Sequence, residues 1–117
     1  MKFLLIAFNL IGGVKMTNRE ILEFAAKAGG IDLDAIAKKY DCDWMDIWDP
    51  FHNRICAFDL IVACGMELVI DNEYGFSSAE KTGDIFSRRS EAHGYNPNDA
   101  TLRAITMCAA EIGMDMK

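Results

Sequence analysis

The sequence predicts a single α+β domain in which three or four helices pack on a short, mainly antiparallel sheet. First, the chain has 117 residues, which is an ordinary length for one domain. Second, 51% of the residues are apolar and 26% are charged, so the chain can bury a core and is not typical of disorder. Third, segments with helical periodicity are interspersed with a few short apolar runs that end at turn residues. This mixture is typical of the α+β class.

Residues 1–15 form an apolar segment that we distinguish from the predicted domain at residues 16–117. The stretch 3–11 is apolar apart from Asn9, and two glycines follow it. A short apolar run that ends at glycine fits a buried first strand. The same stretch resembles a secretory signal, although no small-residue cleavage site follows it. A third interpretation is a misassigned start, with translation beginning at Met16. The residues alone leave these three interpretations open.

The first predicted helix begins at a capping signal. Thr17 and Glu20 have the spacing of a capping box, in which the hydroxyl and the carboxylate each accept a hydrogen bond from a backbone N–H at the helix start. Met16 and Ile21 occupy the positions of a hydrophobic staple across that cap. Because a Gly-Gly pair is a common helix end, the sequence predicts that this helix stops at residues 29–30.

The middle of the chain predicts two more helices with a strand between them. One helix opens at Asp32, whose side chain can cap it. The stretch 43–48 alternates imperfectly and carries both tryptophans, which favours a strand that a following proline ends. Asn53 then caps a third helix, which runs to about Ala63 and stops at the glycine beyond it.

The C-terminal part of the chain, from residue 66 onward, predicts short strands followed by a long helix. Residues 66–70 form a compact strand signal. Residues 73–90 predict one or two short strands around a Lys-Thr-Gly-Asp turn. Asn98 or Asp99 caps the last helix, and Gly113 ends it.

Composition and cysteine spacing exclude several classes of function. A net charge of −6 disfavours direct binding to nucleic acid, which requires clustered basic residues. The four cysteines form no C-x-x-C pair, which favours buried, reduced thiols in a cytosolic protein. An apolar stretch of nine residues is too short to span a bilayer, so we predict no membrane contact. No phosphate-binding, dinucleotide-binding or metalloprotease motif occurs, so we predict no cofactor and name no catalytic residue.

The first candidate site is an acidic and aromatic segment in the middle of the chain. Its members are Asp41, Asp43, Asp46, Trp48, Asp49 and Phe51. Carboxylates at this density can bind Ca²⁺, but their spacing fails the EF-hand pattern, so we predict no metal site. An acidic face can occupy a basic groove, and aromatic side chains anchor interfaces by filling pockets of a partner. The alternative is a solvated acidic edge beside aromatic side chains that pack in the core.

Arg88, Arg89 and His93 form the second candidate site, which would bind a small ligand or serve an enzyme. Two adjacent arginines can clamp a phosphate or a carboxylate group. The same pair is equally typical of an exposed strand edge. His52 and His93 lack the paired spacing of metal ligands, so this site is also predicted to hold no metal.

Three stretches of the chain resemble a family of small proteins encoded by tailed bacteriophages and prophages. The first stretch is the predicted helix at residues 17–31. The second is Trp-Asp-Pro-Phe-His-Asn at residues 48–53, where the family usually has W-N-P-L and an acidic pair before an amphipathic helix. The third, at residues 100–113, is similar to the family ending A-x-R-R-A-I-x-x-A-A-E-I-G. This chain departs from the family pattern at Asp49, at Phe51, and at His52 and Asn53, which stand in place of the acidic pair.

The resemblance implies a phage protein in the cytoplasm of an infected bacterium, and the family brings no established activity with it. We therefore predict a non-enzymatic accessory protein that binds a host or defence macromolecule and inhibits it through the acidic and aromatic segment. One alternative is a small-ligand-binding or enzymatic domain that uses the arginine and histidine site. Another is a homo-oligomeric structural module, such as a homodimer joined through the apolar strand at residues 3–11.

Overall fold

A computed structural model of the chain describes residues 10–11, 14–94 and 96–116. It confirms the predicted α+β class, because helices pack against a three-stranded antiparallel sheet. The α-helices of this described part are α1 (Asn18–Gly29), α2 (Leu33–Tyr40), α3 (Arg54–Cys64) and α4 (Pro97–Asp115), with a short 3₁₀ helix at Trp44–Asp46. The strands are β1 (Leu10–Ile11), β2 (Val14–Lys15), β3 (Met66–Asp71), β4 (Phe76–Lys81) and β5 (Asp84–Ala92).

β1 and β2 pair with each other as a short antiparallel ladder that is separate from the three-stranded sheet. The strand predicted at residues 3–11 therefore has its last two residues in β1. The rest of that predicted strand, and the two glycines after it, lie outside the described residues.

The capping box predicted at the start of α1 is present. Thr17 Oγ1 accepts a hydrogen bond from the Glu20 N–H at 3.2 Å, and Glu20 Oε1 accepts one from the Thr17 N–H at 3.0 Å. The bond from the Thr17 N–H holds the pKa of the Glu20 carboxyl below its usual value. Ile21 and Leu22 are buried on the inner side of α1. Gly30 ends the helix in the left-handed region with φ of 68°, as the Gly-Gly pair predicts.

The prediction of a strand at residues 43–48 is wrong, because this stretch forms the 3₁₀ helix at Trp44–Asp46. The Asp43 carboxylate accepts a hydrogen bond from the Met45 N–H at 3.2 Å and thereby starts a turn. The Trp48 N–H then donates to the Trp44 carbonyl at 2.8 Å. A strand and a helical turn both place residues four apart on one side, so the spacing of the tryptophans did not distinguish the two structures.

α3 is capped by Asn53, as predicted, and runs to Cys64, one residue beyond the predicted end. Asn53 Oδ1 accepts hydrogen bonds from the Ile55 and Cys56 N–H groups at 2.9 and 3.2 Å. Gly65 ends α3 with φ of 64°, a left-handed conformation that favours glycine. The side chains that α3 buries are Cys56, Ala57, Leu60 and Cys64.

The sheet has β4 at its centre, paired with β3 on one side and β5 on the other. This order confirms the strand predicted at residues 66–70, and of the one or two strands predicted around the Lys-Thr-Gly-Asp turn the structure has two. The register shifts between Glu80 and Lys81, next to that turn. α4 packs against β4 and β5, which covers one face of the sheet.

α4 begins earlier than the sequence analysis predicted. Asn96 is the N-cap, and its Oδ1 accepts hydrogen bonds from the Asn98 and Asp99 N–H groups at 2.9 and 3.2 Å. Pro97 occupies the first turn, where a missing N–H costs nothing. Asn98 and Asp99, which were the predicted N-caps, therefore lie inside the helix, and their N–H groups donate to the actual N-cap, Asn96.

α4 also continues past Gly113, which was predicted to end it. A Cβ atom at Gly113 would lie 1.9 Å from the Phe24 carbonyl oxygen of α1. Glycine at this position therefore permits a close crossing of α1 and α4, which make the most extensive contact between any two of the described elements. A single core is shared by these helices, α3 and the sheet.

Candidate functional site

The aromatic half of the predicted contact surface lies in the core. Trp48 is 5% exposed and Phe51 is 8% exposed. Trp44 is buried as well, and the Arg19 guanidinium carbon lies 4.7 Å from the centre of its ring. The Arg103 guanidinium carbon covers Phe51 at 5.6 Å. The prediction that Trp48 and Phe51 contact a partner is therefore wrong, and core packing, the alternative, is what the structure shows.

Two of the four aspartates of this segment stabilise local structure. The Asp43 carboxylate accepts hydrogen bonds from the Arg19 guanidinium at 3.0 and 3.1 Å, and these hold the pKa of its carboxyl below the usual value. Asp49 Oδ1 accepts a hydrogen bond from the Phe51 N–H at 3.0 Å. Asp49 Oδ2 lies 2.7 Å from His52 Nδ1. Both carboxylates are thus engaged within the chain.

Asp41 and Asp46 present their carboxylates to solvent. Asp41 ends α2 in the left-handed region with φ of 53°, and its N–H donates to the Ala37 carbonyl. Asp46 is exposed at the end of the 3₁₀ helix. The predicted acidic edge is therefore reduced to two exposed carboxylates that form no ion pair with the described residues, beside the paired Asp43.

Arg88 and Arg89 do not converge on a common ligand position. Consecutive residues of a strand point to opposite faces of the sheet. Arg88 Nε lies 3.7 Å from Glu80 Oε2 on the neighbouring strand. Arg89 donates instead to Glu91 Oε1 at 3.2 Å and to Glu111 Oε1 at 3.4 Å. The predicted arginine clamp is therefore wrong.

His93 borders a pocket of ≈ 340 Å³ between the end of β5 and the start of α4. The charged residues in its wall are Glu91, Asp99 and Arg103. Arg103 Nε lies 3.6 Å from the buried Glu91 carboxylate, so these two charges neutralise each other. His93 Nε2 lies 2.8 Å from the hydroxyl of Ser77, which is fully buried and so cannot reach a bound substrate. The pocket gives the ligand-binding alternative no specific support.

The buried thiols have low reactivity. Cys56, Cys64 and Cys108 are buried, as predicted, whereas Cys42 is half-buried. Burial raises the pKa of Cys108 to about 12 and also raises the pKa of Cys56 and Cys64. Thiolates, which are the reactive form, are therefore scarce at these three positions near neutral pH.

Two features are absent from residues 10–11, 14–94 and 96–116. Within these ranges, no group of three or more His, Cys, Asp or Glu side chains is arranged to hold a metal ion. Within the same ranges, no helix has both the length and the apolar character needed to cross a bilayer.

α3 exposes an apolar stripe on the side opposite the core. Ile55, Phe58 and Val62 are 74%, 62% and 67% exposed. Their spacing of three and four residues aligns them along the helix. Arg54 and Asp59, the two charged residues of α3, are also exposed. We call these five residues the outer face of α3.

Sequence reasoning missed the outer face of α3. The available signal was the absence of a polar side, because nine of the eleven residues of α3 are uncharged and apolar. A helix that is apolar on all sides is normally buried on all sides. Such a helix at the surface therefore indicates that its outer side contacts something other than the core of its own domain. Helical periodicity reveals a single apolar stripe by its contrast with a polar side, and α3 has apolar residues on both sides.

Comparison with protein-family models, with curated proteins and with solved structures finds no match to this chain. The case for a function therefore depends on the geometry of the molecule. Of the surfaces described above, the outer face of α3 departs furthest from what an isolated soluble domain requires.

Proposed function

We propose that the protein is a non-enzymatic binding protein that contacts another protein through the outer face of α3. The observation that carries this proposal is the alignment of Ile55, Phe58 and Val62 along one exposed stripe. Burying one such side chain stabilises a protein by roughly 1.5–3 kcal/mol. A partner that covered all three aligned side chains would therefore be bound with a favourable contribution from each. Aligned exposed apolar residues commonly mark a contact site between proteins.

The shape of the outer face favours a particular mode of binding. Apolar residues at i, i+3 and i+7 of an exposed helix serve as anchors when that helix packs into an apolar groove or against another helix. Phe58 is the central and largest of the three, the usual position of the residue that contributes most to binding. Arg54 and Asp59 lie at the edges, where charges select the partner and its orientation.

The phage resemblance adds a setting to this proposal. It implies action in the cytoplasm of an infected bacterium, with a host or defence protein as the target and inhibition as the outcome. The exposed carboxylates of Asp41 and Asp46 supply such a target with an additional electrostatic contact. In this proposal the buried Trp48 and Phe51 hold the scaffold together and leave binding to α3.

The test is affinity purification of the tagged protein from bacterial cells, with bound proteins identified by mass spectrometry. Wild type is compared with Phe58→Asp and with Tyr74→Asp, a control that changes an exposed aromatic residue outside α3. A copy with a second tag is co-expressed so that self-association is counted as binding. We expect wild type and Tyr74→Asp to retain a bound protein in stoichiometric amount, and we expect Phe58→Asp to lose it. If no bound protein depends on Phe58, the proposal is wrong.

A further inference from the structure

We propose that the protein bound by the outer face of α3 is a second copy of this chain, with the two α3 helices side by side in parallel. This inference rests on the proposed function, because it uses the same surface and names its partner. It is carried by the spacing of the apolar residues, by the position of the two charges and by the division of α3 into two faces.

The exposed apolar residues have the spacing of a coiled-coil seam. If Ile55 is position a of a heptad, Phe58 is position d and Val62 is the next position a. β-branched residues at position a, combined with Leu at position d, favour two-stranded parallel pairing; both a positions here are β-branched, and position d is the bulky apolar Phe58. The three side chains would then each meet their own equivalent across a two-fold axis.

The heptad also separates the seam from the core of the domain. The side chains that α3 buries in its own domain are at positions b, c and f: Cys56, Ala57, Leu60 and Cys64. Positions a and d are therefore exposed while the inward side remains fully packed. Pairing of two copies requires no rearrangement of the fold.

The charges on the outer face complement each other only across a parallel pair. Arg54 is position g and Asp59 is position e of the next heptad, five residues further on. In parallel helices, position g of one helix lies beside that position e of the other, and e and g pairs set partner and orientation. Two-fold symmetry forms the Arg54–Asp59 pair twice. In an antiparallel pair centred on Phe58 the g edges face each other, which places Arg54 near the C-terminal end of the other α3 and away from its Asp59.

Charge also identifies a second copy as a suitable partner. The chain carries a net charge of −6, so two copies repel each other on average. The outer face, with one basic and one acidic residue, is neutral. Self-association is therefore least opposed at the surface where apolar residues are exposed.

The size of the seam predicts a weak dimer. α3 has 11 residues, which corresponds to a length of about 16 Å, and its seam has three apolar layers. Stable interfaces bury roughly 800 Å² on each partner, which a helix of this length does not provide alone. We expect a dissociation constant of about 1 μM or weaker, so monomer and dimer exchange at ordinary concentrations.

The first experiment measures the mass of the full chain by sedimentation velocity over a wide range of concentrations. Wild type and Tyr74→Asp should shift from monomer to dimer. Phe58→Asp should weaken the dimer by about 100-fold or more, because each dimer loses two central apolar side chains and gains two buried charges. Val62→Asp provides a second disruption of the seam. Circular dichroism checks that each variant is folded, which we expect because these side chains are exposed.

The second experiment tests the parallel orientation by exchanging charges. Arg54→Glu places two carboxylates together at each edge of a parallel pair and should weaken the dimer by about tenfold. Combining it with Asp59→Lys recreates opposite charges across the pair and should restore the dimer to within about threefold of wild type. Failure of the combined variant to recover, with wild type dimeric, overturns the parallel pairing.

Failure of this inference differs from failure of the proposed function. If wild type remains monomeric at every concentration while another protein binds in a manner that depends on Phe58, the second copy is the wrong partner and the binding function stands. If wild type is dimeric but Phe58→Asp is equally dimeric, the second copy uses another surface and the inference fails. If neither self-association nor any other binding depends on Phe58, both proposals fail.

Discussion

Gly113→Ala is the substitution for which the structure predicts the sharpest loss of stability. A Cβ atom at this position would lie 1.9 Å from the Phe24 carbonyl oxygen and 2.7 Å from the carbonyl carbon. Ordinary van der Waals contact begins at 3.4 Å, so α1 and α4 must separate by about 1.5 Å. The clash is with backbone, which cannot move aside as the tip of a side chain does.

The expected magnitude combines two opposing effects. Alanine is favoured over glycine inside a helix by about 1 kcal/mol. Overpacking a closely fitted contact costs about 3 kcal/mol, the upper part of the usual range, because backbone atoms are involved. The free energy of unfolding should therefore fall by about 2 kcal/mol, which corresponds to a decrease in Tm of about 10 °C for a domain of this size.

Urea denaturation followed by tryptophan fluorescence measures this change, since Trp44 and Trp48 are both buried. Gly29→Ala is the matched control. Its Cβ would lie 2.8 Å from Leu60 Cδ2, the end of a flexible side chain, so its free energy of unfolding should stay within about 1 kcal/mol of wild type. An unfolding free energy of Gly113→Ala equal to or above that of wild type would refute the reasoning about the close crossing.

Three more predictions concern the cap, the core and the thiols. Because the folded pKa of Glu20 lies below the usual 4.5, its contribution is present at neutral pH and is lost as the pH falls through the folded pKa. Glu20→Gln should therefore lose less stability than wild type between about pH 6 and about pH 3 in urea titrations, and an equal loss would contradict this. Trp48→Ala should lower the unfolding free energy by about 3–5 kcal/mol, whereas Phe58→Ala should change that of the monomer by less than about 1 kcal/mol; similar values would show that burial is misassigned. Cys108 should resist alkylation at about pH 8 until the protein unfolds, as mass spectrometry of labelled peptides can show, and rapid labelling of native protein would contradict its raised pKa.

The elements that the sequence predicted correctly depend on local interactions. The ends of α1 and α3 follow from side chains that bond to backbone N–H groups within three residues, at Thr17 and Asn53, and from Gly30 and Gly65 in the left-handed region. These interactions involve only neighbours along the chain. Residue type and spacing are therefore sufficient to predict them.

The predictions that failed depend on residues far away in the chain. Gly113 has the same local signature as a helix end, and its actual role becomes visible only when α1 lies across it. Trp48 and Phe51 were assigned to a contact surface, although the position of the core decides which side of their turn is buried. The outer face of α3 was missed for the same reason, because its residues are apolar on both sides and only packing shows which side remains exposed.

The crossing of α1 and α4 has a consequence for folding during synthesis of the chain. Phe24 and Gly113 lie near opposite ends of the described chain, yet their helices form its largest internal contact. During translation, α1 is followed by α2, α3 and the three-stranded sheet before α4 is made. Until α4 has been synthesised, α1 therefore lacks the helix with which it makes its main contact in the fold.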